Sequence, residues 1–338
     1  MIEMDICPSV EARGRPLVEV RDLTVTFALR SGAVRAVSGI SFDVMPGEVL
    51  CIIGESGSGK SVTMRTLMRL LPEPLTRIQG SVRVGEYDIL SLDQRRLSDV
   101  RGSVVSMIFQ EPMSALDPTY TIGDQIAEAI VRHQKCSAQD ALARALDLLR
   151  LVKVPSPERR LRAYPHELSG GLRQRAMIAV ALSCKPGLLL ADEPTTALDA
   201  TVQIQVLLLL RKLQQELGMA MIFVTHDLGV AAQIADKVAV MYGGRIVEYG
   251  TARNVLVRPG HPYTQAMLAS TVNGQPRDRD LVTIGGVPPD MGAFRDGCGF
   301  AARCELAIPE CSRADIPPLP HAAASHYARC LRAELAAR

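Results

Sequence analysis

Two short strings, more than a hundred residues apart, hold the reactive groups of this 338-residue chain. The first is Gly54-Glu55-Ser56-Gly57-Ser58-Gly59-Lys60-Ser61, directly after an apolar run. Glycines at its first and sixth positions let backbone N–H groups turn inward around an anion, and a helix starting there adds its positive end. Lys60 would reach the terminal phosphates of a nucleotide, and the Ser61 hydroxyl would ligate Mg²⁺. The second string, Asp192-Glu193, closes the apolar run Leu188-Leu189-Leu190-Ala191. Asp192 would hold Mg²⁺ through water and Glu193 would polarise an attacking water, since phosphoryl transfer needs positioning and charge neutralisation more than covalent chemistry. Alone, such a run is any strand meeting solvent; beside a phosphate loop it becomes half of a nucleotide site.

These groups need elements to position them. Glu48 to Gly54 reads as a strand entering the phosphate loop, and Ser61 to Leu71 as the helix leaving it, ended by Pro72 and Pro74. Val104 to Phe109, Leu188 to Ala191 and Met221 to Thr225 are further short apolar strands, with a helix over 201–217 between the last two. Residues 18–50 alternate apolar and polar, as half-buried antiparallel strands do, and Gly80 to Ile89 resumes that pattern. Residues 112–187 read as largely helical, and Val238 to Tyr242 with Arg245 to Glu248 as a hairpin around Gly243-Gly244. Strands alternating with helices predict an α/β fold with a mainly parallel sheet. The expected organisation is a loose tail over 1–17, a nucleotide-binding domain over 18–265, and a small cysteine- and proline-rich extension over 266–338.

Composition sets outer limits. A hydrophobic fraction of 47% is ample for a packed core, and a net charge of +2 gives no reason to expect a nucleic-acid partner. No apolar stretch approaches the roughly 18 residues that span a bilayer. The N-terminal segment lacks the basic start and apolar middle of a signal peptide. Any membrane function would therefore act through partners.

With the string Leu168-Ser169-Gly170-Gly171, followed by Gln174 and Arg175, the chain resembles the ATP-binding-cassette ATPases over roughly residues 18–270. The resemblance implies a P-loop fold with an antiparallel β subdomain and a helical subdomain. It implies ATP and Mg²⁺ as ligands, and assigns roles residue by residue. Gln110 would sense Mg²⁺ and the attacking water, and His226 would be the switch histidine, although a histidine at a strand end is by itself unremarkable. Ser169, Gly170 and Gly171 would offer a helix N-terminus to the γ-phosphate bound by an opposite subunit, and Asp199 would lie in the D-loop Ala197-Leu198-Asp199. Phe27 would stack on adenine, or it is simply a core aromatic of an alternating strand.

The strings GESGSGKS, IFQEPMSALDP, YPHELSGG, ADEPTTALD, VTHDLGV and HPYTQAML are similar to those of the ATP-binding subunits of oligopeptide/dipeptide importers. That resemblance implies two membrane permease subunits, a second ATPase subunit (a copy or a sister chain) and an extracytoplasmic binding protein reached through the permease. It also implies a position at the cytoplasmic side of the bacterial inner membrane. The alternative is a soluble regulatory ATPase acting on a non-membrane partner.

Four of the eight cysteines, Cys298, Cys304, Cys311 and Cys330, crowd the last part of the chain in the spacing C-x5-C-x6-C-x18-C. This resembles the C-terminal cysteine pattern of the same importer subunits, except that Glu305 stands where proline commonly follows the second cysteine. Four thiolates suit a [4Fe–4S] cluster, with zinc as the alternative ligand and unligated thiols as the third reading. Cys51 and Cys184 read as small buried hydrophobes, and Cys7 and Cys136 as isolated.

Overall fold

A computed structural model describes residues 14–30, 32–196, 198–271, 283–289, 291–292, 297–313 and 315–336. The expected tail over 1–17 therefore lies mostly outside the described residues, as do Cys7 and Ala197.

Strands β1 (Val18–Leu29), β2 (Gly32–Val44), β4 (Thr76–Val84) and β5 (Tyr87–Asp88) form an antiparallel sheet in the order β2-β1-β4-β5. β1 is its centre, with Val18 opposite Val44 on one side and Val84 on the other. Its alternation arises because only one face is covered.

The second sheet is built on β3 (Val49–Ile53), β6 (Val105–Ile108), β7 (Leu188–Asp192), β8 (Ala220–Thr225), β9 (Lys237–Tyr242) and β10 (Arg245–Thr251). β3 runs parallel to both β8 and β9, β7 parallel to β8 and β6. Every residue of β3, β7 and β8 is buried, which explains their unbroken apolar runs: both faces are covered. Alternate side chains serve separate cores. Val49, Cys51 and Ile53 join the cluster under the helical region, while Leu50 and Ile52 join the cluster under the antiparallel sheet.

The helical region holds helices Ile122–Gln134, Ala138–Leu151 and Gly170–Leu182. Thr121 and Ser137 cap the first two by accepting from the N–H groups of Asp124 and Asp140.

The C-terminal residues extend the large sheet. β11 (Leu319–His321) and β12 (Ala323–Ala328) add to the edge of the large sheet, whose order is β11-β12-β10-β9-β3-β8-β7-β6. Tyr327 lies opposite Tyr249 and Ala328 opposite Glu248. A wholly buried hydrogen-bonded pair, His326 Nε2 and Glu248 Oε1 at 2.7 Å, fastens the seam. The far Glu248 oxygen is also occupied, because the carboxylate accepts the N–H groups of Gly260 and His261 at 2.7 and 2.9 Å.

Candidate functional site

β3, β8, β7 and β6 are consecutive neighbours and parallel, so their carboxyl ends open on one edge of the sheet. Ligands of open parallel sheets bind there. The loop after β3 is the candidate phosphate loop, Gln110 follows β6, Asp192 ends β7 with Glu193 next to it, and His226 follows β8. Topology therefore gathers residues that are up to 172 positions apart in sequence.

Around this edge lies a cavity of about 690 Å³ lined by Ser56 to Val62, Gln110, Glu193, His226, Val34, Ala36 and Met291. Gly54 and Gly59 have φ of 152° and 101°, and a Cβ would sit 2.2 Å from the Met241 carbonyl oxygen or 2.5 Å from that of Ala36. Only glycine lets the loop turn this close to its supports. Lys60 opens the helix Lys60–Leu67 and donates from Nζ to the carbonyl oxygens of Gly54 and Glu55 at 2.7 and 2.8 Å. Burial pulls its pKa below the ordinary lysine value, while Glu193, Asp192 and Glu55 oppose that shift.

Ser61 Oγ donates to Asp192 Oδ1 at 2.9 Å. Burial pushes the Asp192 carboxyl above its ordinary value, and the Ser61 hydrogen bond works against that. A hydroxyl and a buried carboxylate side by side, with the Gln110 amide near, are the hard oxygen donors that Mg²⁺ requires. Glu193 sits at φ 45°, a left-handed conformation that costs a non-glycine residue on the order of 1–3 kcal/mol and is concentrated at functional sites. Its N–H donates to Val224 O at 3.0 Å. Three groups face its Oε2: Thr196 Oγ1 at 3.0 Å, Gln110 Nε2 at 3.3 Å and His226 Nδ1 at 3.4 Å. The carboxylate is thereby aimed into the cavity.

Ser169, Gly170, Gly171 and Asp199 do not line that cavity. Ser169 precedes the helix Gly170–Leu182, its hydroxyl making no cap bond, and both Ser169 and Gly170 are exposed. Asp199 caps the helix Ala200–Leu217 through Val202 N–H. The two segments touch each other: a Cβ on Gly171 would meet Val202 at 2.8 Å and one on Gly170 would meet Leu198 at 3.9 Å. Phe27 also lies away from the cavity lining, half-buried against the core under the antiparallel sheet. Val34, Ala36 and Met291 line the cavity instead, and sequence reasoning named none of them.

A family model for the ABC transporter matches residues 37–196, and one for the oligopeptide/dipeptide transporter C-terminal region matches residues 247–311. The probable peptide ABC transporter ATP-binding protein y4tR of Sinorhizobium fredii is 47% identical over 94% of this chain and 95% of its own length. The chain belongs to the ABC transporter ATP-binding proteins of the oligopeptide/dipeptide family. Other relatives in this family are the dipeptide transport ATP-binding protein DppD of Bacillus subtilis, 46% identical over 88% of this chain and 89% of that one, and the oligopeptide transport ATP-binding protein OppD of the same organism, 44% identical over 93% and 88%. Among solved structures, an ATP-binding cassette in a dimeric post-hydrolysis state bound to ADP and Pi superimposes with a TM-score of 0.63. It is 28% identical and covers 70% of this chain and 99% of that one. The cassette is thus an ATP-binding, ATP-hydrolysing domain of the ABC transporter class.

Cys298, Cys304 and Cys311 of the family's C-terminal region, and Cys330 beyond the matched residues, line one small pocket together with His261. Burial pushes the Cys298 thiol up to about 11, and the other three cysteines add to that rise. Burial pushes His261 down to about 4, so its ring is neutral, with Nε2 3.9 Å from Cys298 Sγ. Among the described residues, however, no group of three or more His, Cys, Asp or Glu side chains has the geometry to hold a metal ion. The four thiols thus share a pocket without, among the described residues, the geometry of metal ligands.

Proposed function

We propose that this chain drives uptake of di- or oligopeptides, or a similar small solute, as one of two ATPase subunits beneath a pair of membrane permeases on the cytoplasmic side of a bacterial membrane. The carrying observation is that the phosphate loop, Glu193, Gln110 and His226 share one cavity, with Asp192 hydrogen-bonded to Ser61 of that loop, while the exposed Ser169 segment does not line it. Each chain so built offers one complete half-site and one spare half. A second cassette would bring its Ser169, Gly170 and Gly171 to the γ-phosphate. The names of relatives that align over nearly the whole chain support peptide transport rather than the alternative of a soluble regulatory ATPase.

In this reading Lys60 exchanges its two carbonyl partners for phosphate oxygens. Ser61 and Asp192 hold Mg²⁺, which when bound neutralises charge on the phosphates. Glu193, fixed by Thr196, Gln110 and His226, orients the attacking water and accepts its proton as the oxygen bonds to the γ-phosphorus and ADP leaves. Phe27, whose β2 partner Val34 lines the cavity, is the aromatic proposed for adenine in this reading.

Among the described residues no helix is long and apolar enough to cross a membrane. The segment after Gln110 nonetheless exposes Met113 and Tyr120, the last 57% accessible, and supports docking of a permease helix. Replacing Met113 and Tyr120 together by serine is expected to lower peptide uptake by about tenfold or more, the scale of losing an interface anchor, with ATPase activity held within about twofold. Uptake that tracks ATPase rate proportionally across such variants would reject this docking site.

The finer reading of the tail is a [4Fe–4S] cluster on Cys298, Cys304, Cys311 and Cys330, with zinc as the alternative. Their common pocket supports a shared ligand, and the lack of metal geometry among the described residues weighs against it. Anaerobically purified protein is expected to carry about four irons per chain. Zinc in place of iron would keep the four-thiol site and reject the cluster; metal-free protein would reject both.

A further inference from the structure

The phosphate loop is gripped from the C-terminal region at a residue that the loop's own chemistry does not use. Arg303 ends the short turn Ala301–Arg303, and its side chain is only 5% exposed. Its guanidinium forms a bidentate pair with the Glu55 carboxylate, at 2.8 and 3.1 Å. Bidentate arginine–carboxylate pairs fix geometry as well as charge. The other donors are also occupied, by Tyr242 Oη at 3.0 Å, Gly285 O at 2.7 Å and Ile284 O at 3.1 Å. The rings of Tyr242 and Phe300 flank the cation at 5.8 and 5.7 Å.

Glu55 is held at all three of its polar positions. Its N–H donates to Tyr263 Oη at 2.8 Å, its carboxylate accepts from Arg303, and its carbonyl oxygen accepts from Lys60. Tyr263 packs on Tyr242 and Phe300, with ring centres 4.5 and 5.4 Å away, so the same aromatic group backs both grips. The segment that Arg303 holds through Ile284 and Gly285 leads toward Met291, which lines the nucleotide cavity and would meet a Cβ on Gly244 at 2.9 Å. The C-terminal region thus reaches the nucleotide site at the loop's second residue and at the cavity wall.

We propose that Arg303 is a positioning residue for ATP binding: through Glu55 it pre-forms the phosphate loop, so that nucleotide affinity depends on the C-terminal region. Pre-formation raises affinity by removing the ordering cost from the binding step. The groups that act on water, Glu193, Gln110 and His226, stand on other loops and are untouched by the clamp. Loss of the clamp therefore acts on ATP binding and spares the chemical step. The proposal rests on the assignment of the phosphate loop to ATP.

The test measures ATP affinity of the full chain, and KM and kcat of the assembled transporter, for Arg303→Ala, Glu55→Ala and the double variant. Each single variant is expected to raise KM for ATP about tenfold with kcat within about twofold, and the double variant to add nothing further, because either change removes the same pair. Arg303→Lys, which keeps the charge but not the fork, is expected to recover only part of the affinity. If Arg303→Ala does not fold, Glu55→Ala carries the test, since that side chain is 26% exposed and leaves no cavity in the core. Additive losses, a fall in kcat at constant KM, or unchanged affinity in folded Glu55→Ala would overturn the proposal. Lys60→Ala serves as the reference: if it left ATP affinity intact, the assignment of the loop itself would fail, and the clamp with it.

Discussion

Glu193→Gln is expected to lower ATP hydrolysis by at least about 10²-fold, the scale of a lost general base, while ATP binding persists. Glutamine keeps the size of the side chain and can still meet Thr196 and Gln110, whose contacts at 3.0 and 3.3 Å hold the native carboxylate. What would disappear is the negative charge proposed to accept a proton from water. Binding survives because Lys60 and the phosphate loop approach the nucleotide from a different strand end. Single-turnover hydrolysis with the purified assembled complex measures the step itself; near-normal turnover would remove Glu193 from its role.

A comparable loss is expected from Ser169→Arg, for a different reason. Ser169 lies outside the cavity of its own chain, before a helix whose first residue is exposed. An arginine there should leave ATP binding to the lone chain unchanged, because no residue of that half-site moves. In the assembled ATPase pair it would occupy the space meant for the partner's γ-phosphate and displace the N–H donors of Gly170 and Gly171. Losing such donors to a transition-state oxygen costs about 10²–10³ in rate. Equilibrium ATP binding by the single chain, set against hydrolysis by the complex, separates the two effects. A defect in both measurements, or in neither, would contradict the two-chain site.

The gathering of the candidate nucleotide site was legible in the sequence because its residues fall in short local strings. Gly54 to Ser61 and Asp192-Glu193 each sit where a buried strand ends, and strands covered on both faces produce the apolar runs that mark those ends. The support around the site was not legible. Thr196 is one threonine among many, and its bond to Glu193 depends on a backbone turn rather than on a pattern. Arg303 meets Glu55 across 248 residues, and nothing in either neighbourhood announces the pairing. Tyr263 falls inside the HPYT string that marked the family, yet its hydroxyl contact with the phosphate loop is visible only in three dimensions.

The strands of the tail were not legible for a physical reason. Its two strands are short, one reads Leu-Pro-His, and proline and cysteine break any alternation. Such segments become strands only because β10 offers an unpaired edge and Glu248 a buried partner for His326. The same three-dimensional closure brings the four cysteines to one pocket.

The most direct test of the whole account is peptide uptake by the complete transporter in sealed proteoliposomes, with this chain, its permeases, its ATPase partner and the binding protein present. Labelled di- or oligopeptide should accumulate only when ATP is on the side of this chain, and Glu193→Gln should abolish accumulation while the complex stays assembled. ATP hydrolysis without any association with permease subunits, or accumulation that continues at the normal rate with Glu193→Gln, would contradict it.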